Sequence, residues 1–283
     1  METGYINGAY LPREDIKISP DDRGFLFADG IYEVVRWYEG EFFDMEGHLQ
    51  RLKRSLRELE ISWPEADSFP AICRKLISVN GLEKSPVLVY IQVTRGAAMR
   101  THTFPSPAVP PTVYAFARSF VPESSGKENG ITVMLRDDFR WSRCDIKSVA
   151  LLANTISFEE ATRKGFSECI YTRNGKITEG SHSNIFFVKN NILLTHPESE
   201  YVLSGITRKN ALAIARNLGI AVKEEAMDEK DLARTDEAFI TNTSAEVTPV
   251  VAVGTIKIGD GKPGPVTCRI RESFTALTAR LKH

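Results

Sequence analysis

This sequence predicts an α+β protein of two domains: a small N-terminal one over 1–120, a connecting segment over 121–130, and a larger C-terminal one over 131–283. Three observations carry that expectation. Strand-like and helix-like apolar patterns alternate through the first part, "VPESSGKENG" is polar and rich in turn formers, and a second alternation follows it. With 283 residues, 42% of them hydrophobic, the chain can bury a real core.

Each element has its own signal. "GYINGAYLP" is a hairpin turning at Asn7-Gly8, a pair that accepts the positive φ of a tight turn. "IYEVVRWYEGEFFDM" is a second hairpin about Glu39-Gly40. "EGHLQRLKRSLRELE" is a helix with Leu49, Leu52, Leu56 and Leu59 on one stripe. "DSFPAICRKLISVNG" is another, stopped at Gly81, and "SPVLVYIQVTRG" and "TVYAFARSF" are strands. Beyond the connector, "ITVML" is a strand. Val149, Leu152, Ile156 and Ala161 then recur near helical spacing, with Glu159 and Glu160 placed to pair with Arg163 and Lys164 and Ser148 as N-cap. "SECIYTRNGKITEG" turns at Asn174-Gly175, and "SNIFFVKNNILLTHP" turns about Asn190-Asn191. "GITRKNALAIARNLG" is a helix, "EAFITNTSAEVTPVVAV" is strand, loop, strand, and a last helix lies within "PVTCRIRESFTALTARLKH".

Lys plus Arg number 36 and Asp plus Glu 37, a formal net charge of −1 that favours neither nucleic acid nor an anionic membrane. Cys73, Cys144, Cys169 and Cys268 include no Cys-x-x-Cys pair, which argues against a zinc site and for a reducing, cytoplasmic setting. "METGYINGAY" lacks the basic and apolar segments of a signal peptide, and no apolar run approaches the ~20 residues of a membrane span.

Lys147 raises a chemical question. A cation beside a helix N-terminus opposes the partial positive charge there. A lysine near other positive groups and partly desolvated gives up its proton more readily and becomes a nucleophilic amine; a lysine snorkelling from a loop to solvent is the plainer alternative. Four stretches bear on the choice. In "SGITRKNAL" a glycine leads into a helix whose first turn offers N–H groups and the Thr207 hydroxyl, a phosphate cradle or an ordinary helix start. In "TEGSHSNIFFV" Glu179 can hold a heterocycle nitrogen protonated, or face water in a turn. "TNTSAEVTPV" gathers four hydroxyls and an amide, suited to phosphate oxygens or to a simple turn. In "HLQRLKR" Arg51 adjoins the leucine stripe and points at a buried anion, or out to solvent. Together, a reactive lysine, a carboxylate for a ring nitrogen and three phosphate-binding elements describe pyridoxal 5′-phosphate.

The sequence resembles the fold-type IV pyridoxal-phosphate enzymes, a family of branched-chain aminotransferases, D-amino-acid aminotransferases and aminodeoxychorismate lyases. "DRGFLFADGIYEVV", "HLQRLKRS", "CDIKS", "TEGSHSNIF", "SGITR" and "TNTSAEVTPV" carry the resemblance, in the family's order from Asp22 to Val250. It implies the two-domain fold-type IV architecture with its active site in the interdomain cleft. It also implies Lys147 joined to the cofactor as a Schiff base, Glu179 on the pyridine nitrogen, and Arg51, Ile206, Thr207 and Thr243 on the phosphate. Within the family, "VTRGAAMRTHTFP" looks like the bacterial D-amino-acid aminotransferases. There Arg100 and His102, with Tyr32, would trap the substrate α-carboxylate, the arginine and histidine reaching in from the neighbouring subunit of a homodimer. The implied reaction is ping-pong transamination between D-amino acids and 2-oxo acids, D-alanine plus 2-oxoglutarate giving pyruvate plus D-glutamate. Branched-chain L-amino-acid transamination, (R)-amine transamination and a non-catalytic binding protein of the same fold are the alternatives. His182 stands where relatives usually have a small residue, and Ser244-Ala245 follows Thr243 where hydroxyl residues are more usual.

Overall fold

The structure is a computed structural model and describes residues 2–121 and 125–282. The chain forms two compact units. The first is Met1–Val121 with Ile146–Ala150 and Arg280–His283, and the second is Pro122–Asp145 with Leu151–Ala279. A division at 121–130 alone does not describe this, because the residues about Lys147 group with the first unit. Ile146 lies in that unit's core, and Val149 N donates to Gly30 O at 3.0 Å. Of the expected connector, 122–124 lie outside the described residues.

In the first unit β1 (Thr3–Ile6) and β2 (Ala9–Pro12) make the expected hairpin, Asn7 and Gly8 taking φ of 46° and 94°. There follow α1 (Arg23–Phe27), β3 (Gly30–Tyr38), α2 (Met45–Glu58), α3 (Phe69–Val79), β4 (Pro86–Thr94) and β5 (Thr112–Ser119). The five strands form an antiparallel sheet in the order β2-β1-β5-β4-β3. Period-2 alternation sorts its two faces. Ile31, Val35, Val89, Ile91 and Val113 are buried in one cluster with Leu52 and Leu56 of α2 and Phe69, Ile72 and Leu76 of α3. Each such side chain contributes roughly 1.5–3 kcal/mol on burial. The other face carries Tyr32, Tyr90 and Phe116, stacked in series with ring centres 5.7 and 5.3 Å apart. The second arm of the hairpin about Glu39-Gly40 shrinks to one bridge, Trp37 to Phe42.

The second unit comprises α4 (Ser125–Asn129), β6 (Ile131–Asp137), α5 (Leu152–Arg163), β7 (Glu168–Arg173), β8 (Lys176–Gly180), β9 (Asn184–Lys189), β10 (Ile192–Thr195), α6 (Ile206–Asn217), β11 (Ala221–Glu224), β12 (Glu237–Asn242), β13 (Glu246–Val253), β14 (Ile256–Lys257) and α7 (Pro265–Ala279). Helix α4 occupies part of the expected connector and is tied to this unit by an ion pair of Lys127 with Glu246 at 2.5 Å. Its sheet runs β11-β10-β9-β12-β13-β6-β7-β8, with β14 paired to β13 and parallel pairing at β10/β11, β13/β6 and β6/β7. The Asn174-Gly175 and Asn190-Asn191 turns form with positive φ throughout.

Helix α5 departs from expectation at both its start and its face. Ser148 does not cap it, because Ser148 is bridged to Ile31 of β3; the N-cap is Leu151, without a side-chain bond. The pairs Glu159–Arg163 and Glu160–Lys164 form, each at 2.7 Å, but Ser157 and Ala161 are the buried residues while Leu152 and Ile156 are exposed. All four cysteines are free; Cys73, Cys144 and Cys169 are buried and Cys268 is half-buried. Burial pushes the Cys144 and Cys169 thiols up to about 12. Among the described residues no helix is long and apolar enough to cross a membrane.

Candidate active site

Lys147 is fixed by its own backbone. Tyr32 N donates to Lys147 O at 3.0 Å, and Lys147 N donates to Ser55 Oγ of α2 at 3.3 Å. The segment is thereby held against β3 and α2. The half-buried side chain places Nζ 4.3 Å from the centre of the Tyr32 ring. The expectation of a helix N-terminus beside this lysine is corrected, since α5 begins only at Leu152. His48 is buried, and its charged form is disfavoured first by burial and also by Arg51 and Lys147.

Arg51 does point inward, and the anion it meets is Glu33. Its Nε and Nη2 donate to the two Glu33 carboxylate oxygens at 2.7 and 2.9 Å, and His48 Nδ1 lies 2.8 Å from Glu33 Oε2. Burial raises the Glu33 carboxyl, but Arg51 and His48 more than reverse this and hold it well below the usual carboxylate range. Glu33 is a residue that sequence reasoning missed. Its signal is a charge in core register, between Ile31 and Val35 on the inward face of β3. Arg100 and His102 are exposed and gather about Phe27: the Arg100 guanidinium is 5.0 Å and the His102 ring 5.7 Å from the Phe27 ring centre.

In the second unit Glu179 is the penultimate residue of β8 and is buried. It accepts from Arg140 Nη1 at 2.6 Å, Asn184 Nδ2 at 3.1 Å and Leu203 N at 2.9 Å. Burial pushes its carboxyl upward against the pull of Arg140 and the Leu203 N–H. A carboxylate made more basic by burial is the better partner for a protonated ring nitrogen. Asp138 fixes Arg140 through Nε and Nη2, each at 3.0 Å. Asp138, Arg140 and Asn184 were also missed: the first two lie in none of the quoted stretches, and Asn184 sits within "TEGSHSNIFFV" without a signal of its own.

Ile206 and Thr207, both buried, open α6, whose N-cap Gly205 supplies no side-chain bond. A Cβ at 205 would lie 2.0 Å from Asn184 Oδ1, so any larger residue has to displace that amide. Thr243 is half-buried in the turn between β12 and β13. Asn242 Oδ1 shapes that turn by accepting from Ser244 N at 3.0 Å and Ala245 N at 2.6 Å; these are backbone donors, so the turn does not depend on hydroxyl side chains at 244 and 245. His182 is half-exposed. Its Nδ1 is 3.0 Å from Glu168 Oε2, and its ring stands edge-on to Phe158.

The second unit's donors and acceptors fit pyridoxal phosphate. A carboxylate offers about four acceptor positions, and the three donors on Glu179 leave room for a ring N–H. The first N–H groups of α6 have no intrahelical acceptors. Those N–H groups suit phosphate oxygens, and the buried Thr241 hydroxyl has no hydrogen-bond partner among the described residues.

The profile of amino-transferase class IV matches residues 30–253. The chain belongs to the class IV aminotransferases. It is therefore a pyridoxal-phosphate-dependent aminotransferase. This class IV enzyme is similar to the D-alanine aminotransferase of Staphylococcus haemolyticus, with 40% identity over 97% of each chain. It is also similar to that of Bacillus licheniformis, with 36% identity over 95% of this chain and 94% of the other. Among solved structures it matches the branched-chain amino acid aminotransferase of Escherichia coli at a TM-score of 0.90 and 27% identity, covering 100% of this chain and 96% of that one. The branched-chain aminotransferase of Thermoproteus uzoniensis, at 0.88 and 23% over 99% and 96%, shares the fold.

Proposed function

We propose that this class IV aminotransferase moves amino groups between D-amino acids and 2-oxo acids, with D-alanine and 2-oxoglutarate as a substrate pair. The observation that carries the reading is the seat of Lys147 Nζ over the Tyr32 ring, a base held beside a phenol that can receive a carboxylate. The full-length similarity to D-alanine aminotransferases supports the same substrate class.

Bound pyridoxal phosphate supplies an aldehyde for amino groups and a ring that accepts electron density. The chain's own residues do the rest. Lys147 Nζ takes the proton from the donor's Cα and returns one when the acceptor is aminated. Tyr32, Arg100 and His102 hold the α-carboxylate. With the carboxylate fixed there, the D-enantiomer turns its Cα–H toward Nζ and the L-enantiomer turns it away. Glu179 keeps the ring nitrogen protonated, and Arg140 with Asp138 holds Glu179 in place. Arg51, Ile206, Thr207 and Thr243 bind the phosphate, with Glu33 and His48 orienting Arg51. The enzyme acts as a cytoplasmic homodimer in which Arg100 and His102 serve the partner's lysine, and residues 131–283 supply most of the cofactor contacts.

A panel of D- and L-amino acids and (R)-amines tests the reading. D-alanine should far exceed L-alanine, L-leucine and (R)-1-phenylethylamine as donor. A preference for L-leucine would replace it with the branched-chain activity named for the Escherichia coli enzyme of the same fold.

A further inference from the structure

The stretch "DRGFLFADG" takes no part in the chemistry above, yet it builds a buried charge cluster beneath an exposed loop. Arg23 is 3% exposed. Its Nε donates to Asp29 Oδ2 at 2.8 Å, and its Nη1 reaches the carbonyl oxygens of Thr101 at 2.8 Å and Thr103 at 3.4 Å. Those carbonyls flank His102. The Arg23 guanidinium also lies 4.7 Å from the Phe27 ring centre, and that ring is the one Arg100 and His102 gather about. Arg95 closes the cluster from the other side. It grips both Asp29 oxygens at 2.8 and 3.0 Å and lies under the Phe104 ring at 3.5 Å.

The base of this cluster is rigid. Asp22 caps α1 through Gly24 N at 2.8 Å and accepts from Thr94 Oγ1 at 3.0 Å. A Cβ on Gly24 would meet Thr94 Cγ2 at 2.2 Å, so α1 sits against β4 without spare room. By contrast residues 99–104 are exposed and lie in no strand or helix. A buried guanidinium is costly unless it is paired, and two of the acceptors that satisfy Arg23 are carbonyls of this exposed loop.

We propose that Arg23 and Phe27 are positioning residues for Arg100 and His102: Arg23 pins the backbone on both sides of His102, and the Phe27 ring aligns the two side chains for a substrate carboxylate. The proposal rests on the reading of Arg100 and His102 as carboxylate binders. Neither Arg23 nor Phe27 need touch substrate.

The test uses the holoenzyme of wild type, Arg100→Ala, Arg23→Lys and Phe27→Leu. Single-turnover amino transfer is followed with D-alanine and with D-alaninamide, which lacks the carboxylate. Amide hydrogen exchange of 98–106 is measured in parallel. Arg100→Ala should cost D-alanine about ten- to a hundredfold more than the amide. Arg23→Lys and Phe27→Leu should show the same bias at about tenfold. In Arg23→Lys, exchange in 98–106 should be faster while β3 is unchanged. If Arg100→Ala is biased but the other two variants affect both donors equally, or if loop exchange is unaltered in Arg23→Lys, the positioning role is wrong and the carboxylate reading stands. If Arg100→Ala itself shows no bias, the carboxylate reading fails and the proposal with it. Phe27→Leu, at a half-buried position, keeps the question answerable if Arg23→Lys does not fold.

Discussion

At the scale of single residues, the Glu33–Arg51–His48 cluster gives the protein a pH signature. Glu33 is held below its unfolded value of ~4.3, so in the window beneath that value the unfolded chain binds the extra proton and stability is lost as pH falls. His48 acts in the same direction higher up. Burial lowers its folded value beneath ~6.5, so the unfolded chain protonates first there too. This cluster's contribution to the thermal midpoint should be flat above about pH 7, drop through about pH 6, and drop again below about pH 4. His196 is lowered by burial as well, so a variant must isolate the effect. His48→Gln keeps an N–H donor toward Glu33 and should flatten the upper step only. Superimposable pH curves for wild type and variant between about pH 7 and 5 would remove His48 from this account. The cluster also marks a limit of sequence reading. Lys147, Glu179 and Arg51 could be singled out because each is a charge at a marked place in a short stretch. Glu33 and Arg140 could not, because their meaning lies in a partner 18 or 39 positions away, and Asn184, in the same stretch as Glu179, meets it only once β8 and β9 are folded.

At the scale of elements, the start of α6 is coupled to Glu179 through a single amide. Asn184 Nδ2 donates to Glu179 Oε2 and to Leu203 O at 2.9 Å, while its Oδ1 fills the space above Gly205. Gly205→Ala leaves the backbone comfortable, since φ is −71°, but drives its Cβ into that oxygen. The variant should fold with a penalty of about 1–3 kcal/mol, bind pyridoxal phosphate more weakly, and show an altered absorption band because Glu179 has lost a partner. Equilibrium dialysis and the visible spectrum check this, and unchanged affinity with an unchanged band would uncouple the two sites. Long periodic elements such as α2 and the paired strands were readable from spacing alone. Helix α1, with five residues, and β11, with four, are too short to leave a period. For α5 the apolar spacing was present but misleading: tertiary contacts bury the small residues Ser157 and Ala161 and leave Leu152 and Ile156 at the surface.

At the scale of the whole molecule, the proposed homodimer makes a quantitative prediction. Lys147→Ala and Arg100→Ala proteins are each impaired alone. If Arg100 serves the partner's lysine, mixed dimers regain one complete site, and random reassortment of equal amounts restores about a quarter of wild-type activity. Service within one chain would restore none. The four free cysteines have a consequence of their own. Burial raises the Cys144 and Cys169 thiols to about 12 and the Cys73 thiol well above its usual value, so at pH 7 all three stay protonated and unreactive. A maleimide added to the native enzyme should therefore alkylate Cys268 first, as the half-buried thiol among three buried ones. Mass spectrometry would read one adduct on folded protein and four once the chain opens, so the count of adducts is a gauge of unfolding that needs no introduced probe.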